Sequence, residues 1–167
     1  MKMQQVQVTS RLISKACLIV GLSLSSTLAL AMPQVGQPAP DFTVVDSQGK
    51  QHQLKDFAGK TLVLEWTNDQ CPFVVKHYSG NMQAMQAEMK LQGAVWLSVI
   101  SSAPGKQGHV SGAKADELTA SRGAMPTAVV FDETGVMGKA YDAKTTPHMY
   151  LIDKAGILQY MGGIDSI

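Results

Sequence analysis

The sequence predicts an α/β fold built on a mixed central sheet. Near-continuous apolar runs alternate with helix-like stretches from Thr61 to Tyr141, a short hairpin pattern precedes them at Phe42 to Leu54, and a second hairpin pattern follows at Met149 to Met161. Apolar runs without alternation mark central strands covered on both faces, and such strands are joined by crossover helices. Hairpins add antiparallel neighbours to such a sheet, which makes it mixed.

The first 31 residues read as a separate, targeting segment. Lys2, Arg11 and Lys15 form a basic lead, Ala16 to Leu30 is apolar, and Ala29-Leu30-Ala31 fits a small-x-small cleavage site. This is the pattern of a secretory signal peptide, too short in its apolar part to span a membrane comfortably. Residues 1–31 are therefore expected to be removed, leaving one domain over residues 32–167. Cys17 stands at the start of the apolar segment, beside Lys15, and so does not indicate a lipoprotein. Export points to the periplasm of a bacterium.

Removal of Lys2, Arg11 and Lys15 leaves 11 basic residues against 13 acidic ones. That balance gives no electrostatic footprint for nucleic acid, and the remaining chain has no second long apolar segment to hold it in a membrane. It also leaves Cys71 as the lone cysteine. An exported protein ordinarily has its cysteines in pairs, so a single thiol is a candidate for reaction or for intermolecular bonding.

The elements follow in order. Val35 to Pro40 is a loop punctuated by Gly and Pro. Phe42-Thr43-Val44-Val45 and Gln51 to Leu54 read as two short strands about the turn Asp46-Ser47-Gln48-Gly49. A helical turn at Leu54 to Phe57 leads to Thr61–Trp66, apolar apart from Glu65 and Thr61. Val74, Tyr78, Met82, Met85 and Met89 then fall at spacings of 4, 4, 3 and 4, the stripe of an amphipathic helix, with Gly80 marking a bend. The methionines read as core packing.

Ala94 to Ile100 is the next strand, and Ser101 to Gly112 is a Ser/Gly-rich loop in which Lys106 and His109 are expected to face solvent. Ala113 to Ser121 reads as a helix with Gly123 as its C-cap, followed by a strand at Pro126 to Phe131 and a turn and short helix at Asp132 to Tyr141. Met149 to Ile152 and Ile157 to Met161 form the last hairpin. His52, like His109, reads as a surface loop residue.

The chemistry gathers at Cys71. It lies between the Thr61–Trp66 strand and the following helix, and Pro72 suits the first helical position because its missing N–H was unpartnered there anyway. Cys71 is then the N-cap or its neighbour, where free N–H groups and the helix dipole favour a thiolate. Asp69 close by would oppose that by charge repulsion. The bland alternative is a buried, inert cysteine.

Three stretches carry a resemblance. Gly36-Gln37-Pro38-Ala39-Pro40-Asp41-Phe42 resembles the opening of the alkyl hydroperoxide reductase/thiol-specific antioxidant family. Trp66-Thr67-Asn68-Asp69-Gln70-Cys71-Pro72-Phe73-Val74 resembles the active-site turn and first helix of such redoxins, and Thr145-Thr146-Pro147-His148-Met149-Tyr150-Leu151-Ile152-Asp153 their cis-proline loop and strand. The likeness runs from about Val35 to Gly163 and implies a thioredoxin-like fold. It implies Cys71 as the catalytic thiol, with Trp66, Thr67, Asn68, Pro72, Thr146 and Pro147 supporting the site or binding substrate. It implies no cofactor; the fold normally adds a helix after the last hairpin, and the shortened C-terminus, with little chain beyond Gly163, departs from that.

The chain also departs from that family. Aligned on a Cys-x-x-Cys turn, Asn68 takes the first position and Cys71 the second, so no disulfide can form within the turn. Peroxiredoxins keep a threonine three residues before the attacking cysteine and an arginine across the site; here those places hold Asn68 and Pro147, and the remaining arginine is Arg122 at a helix end. The resemblance thus implies a single-cysteine thiol oxidoreductase, attacking a peroxide or a disulfide and recycled by an external thiol. Two alternatives stay open: a peptide-binding module that uses the Thr146-Pro147 loop without turnover, and a copper site of Cys71 and His148, with His77 six positions on and so on another helix face.

Overall fold

A computed structural model describes residues 32–165. The leader expected over residues 1–31 lies outside them. The described chain folds as β1 (Thr43–Asp46), β2 (Gln51–Gln53), a 3-10 turn (Leu54–Phe57), β3 (Leu62–Trp66), α1 (Pro72–His77), α2 (Asn81–Leu91), β4 (Val95–Ile100), α3 (Gly112–Ser121), β5 (Ala128–Phe131), α4 (Val136–Ala140), β6 (His148–Ile152) and β7 (Leu158–Gly162).

The seven strands form one mixed sheet in the order β2-β1-β5-β4-β3-β6-β7. The three apolar runs became the parallel centre, β3, β4 and β5, and the hairpin strands flank it antiparallel through β1 and β6. Every residue of β3 and β4 is buried, as strands covered on both faces must be.

Alternate residues of β3 serve different faces. Leu62, Leu64 and Trp66 point into the larger core, shared with Leu97, Val99, Tyr150, Met137 of α4 and Tyr141 just after it. Val63 joins Met82, Trp96 and Met149 under α2 on the other face. Ile100, Ala115 and Val129 continue that layer beneath α3.

Three expectations are corrected. The Val74–Met89 stripe is not one bent helix but two, because Gly80 takes φ +136°, a backbone angle that ends α1's path and starts α2 in a new direction. The stripe's packing survives the break, with Val74 and Met82 fully buried. His52 is not a surface residue. It is 7% exposed, bonds Asp46 Oδ2 at 2.7 Å and stacks on Phe57. His109 is partly covered and pairs with Glu133 Oε1 at 3.0 Å instead of facing solvent alone.

After β7 the described chain turns back along the α2 face. Ile164 packs against the Val63 cluster, and Asp165 lies 3.6 Å from Lys76 Nζ and 3.4 Å from His77 Nε2. An apolar groove lined by Met85, Met89, Trp96 and Tyr160 stays open on that face.

Candidate active site

β3 and β6 run side by side so that Trp66 pairs with His148. This register brings two loops together at one end of the sheet: the turn after β3, which carries Cys71, and the segment before β6, which carries Thr146 and Pro147. The Thr146–Pro147 peptide bond is cis. Cys71 Sγ donates to the Thr146 carbonyl at 3.1 Å.

Cys71 is the N-cap of α1 and Pro72 its first residue. The turn before it is shaped by Asn68. Its Oδ1 accepts from Gln70 N at 2.9 Å and its carbonyl accepts from Cys71 N at 3.0 Å. Asn68 has little room. A Cβ placed on Gly108, where φ is +80°, would stand 2.6 Å from the Asn68 side chain, so the Ser101–Gly112 loop is fitted against the turn.

Partial burial pushes the Cys71 thiol up, but hydrogen bonding from the Thr146 side chain and from the Val74 and Phe73 N–H groups outweighs it. The net direction is down, toward the thiolate. Asp69 is not among the groups that shift it.

The placement also revises which cysteine of a Cys-x-x-Cys turn is missing. Cys71 is half-buried at the N-cap and faces the cis-proline loop. The residue three places on is Val74, in the first turn of α1 and 0% exposed. A second thiol would have to replace Val74, not Asn68.

On the Trp66 face, supports run unbroken. Trp66 Nε1 donates to Ser101 Oγ at 2.9 Å, and Ser101 Oγ to Asp132 Oδ2 at 2.8 Å. Asp132 also accepts from Met137 N and Gly138 N, fixing the start of α4. The Trp66 ring sits 5.5 Å from Tyr141 and 5.0 Å from Tyr150. Tyr150 OH donates to the Tyr141 carbonyl at 2.9 Å and lies 3.1 Å from His148 Nδ1, which anchors the proline loop. Burial, the largest influence, holds the His148 imidazole below its ordinary range.

Thr67, on the opposite face, turns its hydroxyl into a cavity of about 40 Å³ that Asp69, Tyr78 and Arg122 also line. Thr67 Oγ1 and Asp69 Oδ1 are buried there without a hydrogen-bond partner among the described residues. The space suits a single water.

The structure adds a residue that sequence reasoning passed over. Glu65, adjoining Trp66, is 0% exposed. Its carboxyl accepts from Tyr78 OH at 2.8 Å, Trp96 Nε1 at 2.8 Å and Ser98 Oγ at 3.0 Å. Loss of hydration pushes its pKa up, and these donors offset part of that rise. The available signal was an acid alone in an otherwise apolar central run.

Among the described residues no group of three His, Cys, Asp or Glu side chains is placed to hold a metal ion. His77 is buried and bonds Asn81, and His148 is engaged with Tyr150.

A central mixed sheet, a cysteine at a helix N-cap and a cis-proline loop against its sulfur define a redoxin with a thioredoxin-like fold. The chain belongs to the AhpC/TSA family, whose pattern matches residues 35–161. It is 29% identical over 122 residues to the thiol-disulfide oxidoreductase ResA of Geobacillus kaustophilus, a match covering 73% of this chain and 65% of that relative. The chain thus spans just under two thirds of the relative's length. Among solved structures it is similar to an uncharacterized conserved protein from Geobacillus kaustophilus, with 25% identity and a TM-score of 0.71 over 81% of this chain and 72% of that one. It is also similar to a putative thiol:disulfide interchange protein DsbE from Chlorobium tepidum, with 25% identity and a TM-score of 0.63 over 78% and 85%.

Proposed function

We propose that this chain is an exported, single-cysteine thiol–disulfide oxidoreductase. The observation that carries the reading is Cys71 Sγ at the N-cap of α1, 3.1 Å from the carbonyl that precedes the cis-proline. The Cys71 thiolate attacks one sulfur of a substrate disulfide. An S–S bond forms between Cys71 and that sulfur, and the other leaves as a thiolate. A second, external thiol then attacks the mixed disulfide, frees Cys71 and carries the bond away. The chain ends as it began, and the oxidising equivalents pass between its two partners.

Extended substrate would lie along Thr146 and Pro147 beside Pro72, while Trp66, Thr67 and Asn68 support the turn that carries the sulfur. The names of the similar proteins support disulfide over peroxide. So does Pro147 standing where a peroxidase would carry arginine. The leader pattern of residues 1–31 supports export, and the first residue of the secreted chain is expected to be Met32.

The test is intact mass of the purified domain after exposure to glutathione disulfide and, separately, to hydrogen peroxide. A glutathione adduct on Cys71, absent in Cys71→Ser and removed by added thiol, is expected. Rapid gain of one oxygen with no adduct would replace this reading with a peroxidase. No adduct of either kind, with biological activity retained in Cys71→Ser, would replace it with a peptide-binding module.

A further inference from the structure

Arg122 is the one arginine among the described residues, and it comes from the far end of α3. Its Nη2 donates to the Asp69 carbonyl at 3.4 Å. Its guanidinium carbon lies 5.2 Å from the centre of the Tyr78 ring. These contacts fall on either side of Cys71, one in the turn that precedes it and one at the end of the helix that follows it.

We propose that Arg122 is a positioning residue for Cys71, gripping the thiol-bearing segment at both ends. The inference rests on the reading of Cys71 as the reacting thiol. A guanidinium suits this task because it can donate through its edge while its face lies on an aromatic ring. An ammonium cannot do both from one position.

Each end of the grip is itself secured. Tyr78 OH bonds the buried Glu65 carboxyl, and its carbonyl accepts from Gln83 Nε2 at 2.7 Å. The same Gln83 nitrogen donates to the Arg122 carbonyl at 2.8 Å, so the end of α3 is tied to α2. Asp69 borders the small cavity, where its Oδ1 and Thr67 Oγ1 lack partners among the described residues. The turn therefore has few other side-chain restraints on that side. The charged and titratable groups facing Arg122 are Asp69 from the turn, Tyr78 from the C-cap of α1 and, behind Tyr78, Glu65 from β3. With Arg122 gone, the turn can relax toward the cavity, and the sulfur loses its fixed relation to the Val74 and Phe73 N–H groups and to Thr146.

The experiment is the rate of Cys71 alkylation by iodoacetamide against pH, with thermal unfolding followed in parallel. It reads the thiol directly and needs no disulfide exchange. Arg122→Gln is expected to slow alkylation at pH 7 about three- to ten-fold, through a thiol midpoint raised by about half a unit to one unit. Arg122→Lys keeps the charge but loses the double contact, and is expected to recover only part of the rate. Unchanged alkylation profiles in both variants, whatever their thermal stability, overturn the proposal. Full recovery by lysine also overturns it, in favour of charge alone. Where Arg122→Gln does not fold, Arg122→Lys decides by the same criteria. Failure of the wild type to form a mixed disulfide, with alkylation still sensitive to Arg122, would defeat the exchange reading and leave this one standing.

Discussion

Glu65 and Trp66 are neighbours on β3 and face opposite ways, and the surroundings they meet differ in kind. Trp66 enters an aromatic core whose polar atoms are paired in sequence, from its indole through Ser101 to Asp132 and α4. Glu65 enters a polar pocket in an otherwise apolar layer, beside a cavity with two oxygens that lack partners among the described residues. The first face behaves as a scaffold. On the second, small changes in charge or hydration are felt strongly, because few groups there can compensate. The active site straddles this division. Tyr78, in the chain just after α1, docks on the Glu65 side, while the Thr146-Pro147 loop is anchored through His148 and Tyr150 on the Trp66 side. The contact between Cys71 Sγ and Thr146 O joins the halves.

The largest effect is expected on the scaffold side. Trp66→Ala is expected to lower unfolding stability by about 3–5 kcal/mol in urea titrations, the usual cost of a large buried aromatic. A loss below about 1 kcal/mol would mean that the aromatic face is not the rigid half.

A smaller effect is expected at Glu65, and it depends on pH. The folded pKa is raised above the ordinary value of about 4.3, so between the two the unfolded chain releases a proton that the folded chain retains. Raising pH through that window therefore costs the wild type stability. Glu65→Gln loses an acceptor for Trp96, Tyr78 or Ser98, at about 1–3 kcal/mol, but does not titrate. Urea midpoints should show the wild type ahead at pH 4 and the gap narrowing as pH rises. A gap that widens instead would mean that the Tyr78, Trp96 and Ser98 donors win over burial.

The smallest change is aimed at the junction. Thr146→Val removes a hydroxyl and keeps the shape. The Cys71 alkylation midpoint should move up toward the unperturbed value of about 8.5, while stability changes by less than about 0.5 kcal/mol. A midpoint that stays put would assign the lowered thiol pKa to the α1 N–H groups alone.

Much of this was legible in the residues themselves. The apolar runs became β3, β4 and β5 because strands buried on both faces need no polar alternation. Cys71-Pro72 and Thr146-Pro147 were visible because proline restricts its own neighbourhood and so leaves a local mark. What escaped depends on register and on distant chain. Asp46 reaches His52 only once β1 and β2 pair as a hairpin, which buries a histidine that looks exposed in isolation. The Glu65 pocket needs Trp96 and Ser98 from β4 and Tyr78 from beyond α1. Arg122 lies 53 residues from Asp69, and no local pattern links the two.

The close fit of Gly108 against Asn68 also constrains descent. Any side chain at position 108 meets the Asn68 amide, and its backbone angle already disfavours most substitutions. The two positions lie 40 residues apart, yet they should drift as a linked pair: a lineage that loses Gly108 is expected to shrink residue 68 as well, and with it the hydrogen bond that holds Gln70. A loop with no reacting group of its own would then carry a record of which ancestors kept the thiol turn in working shape.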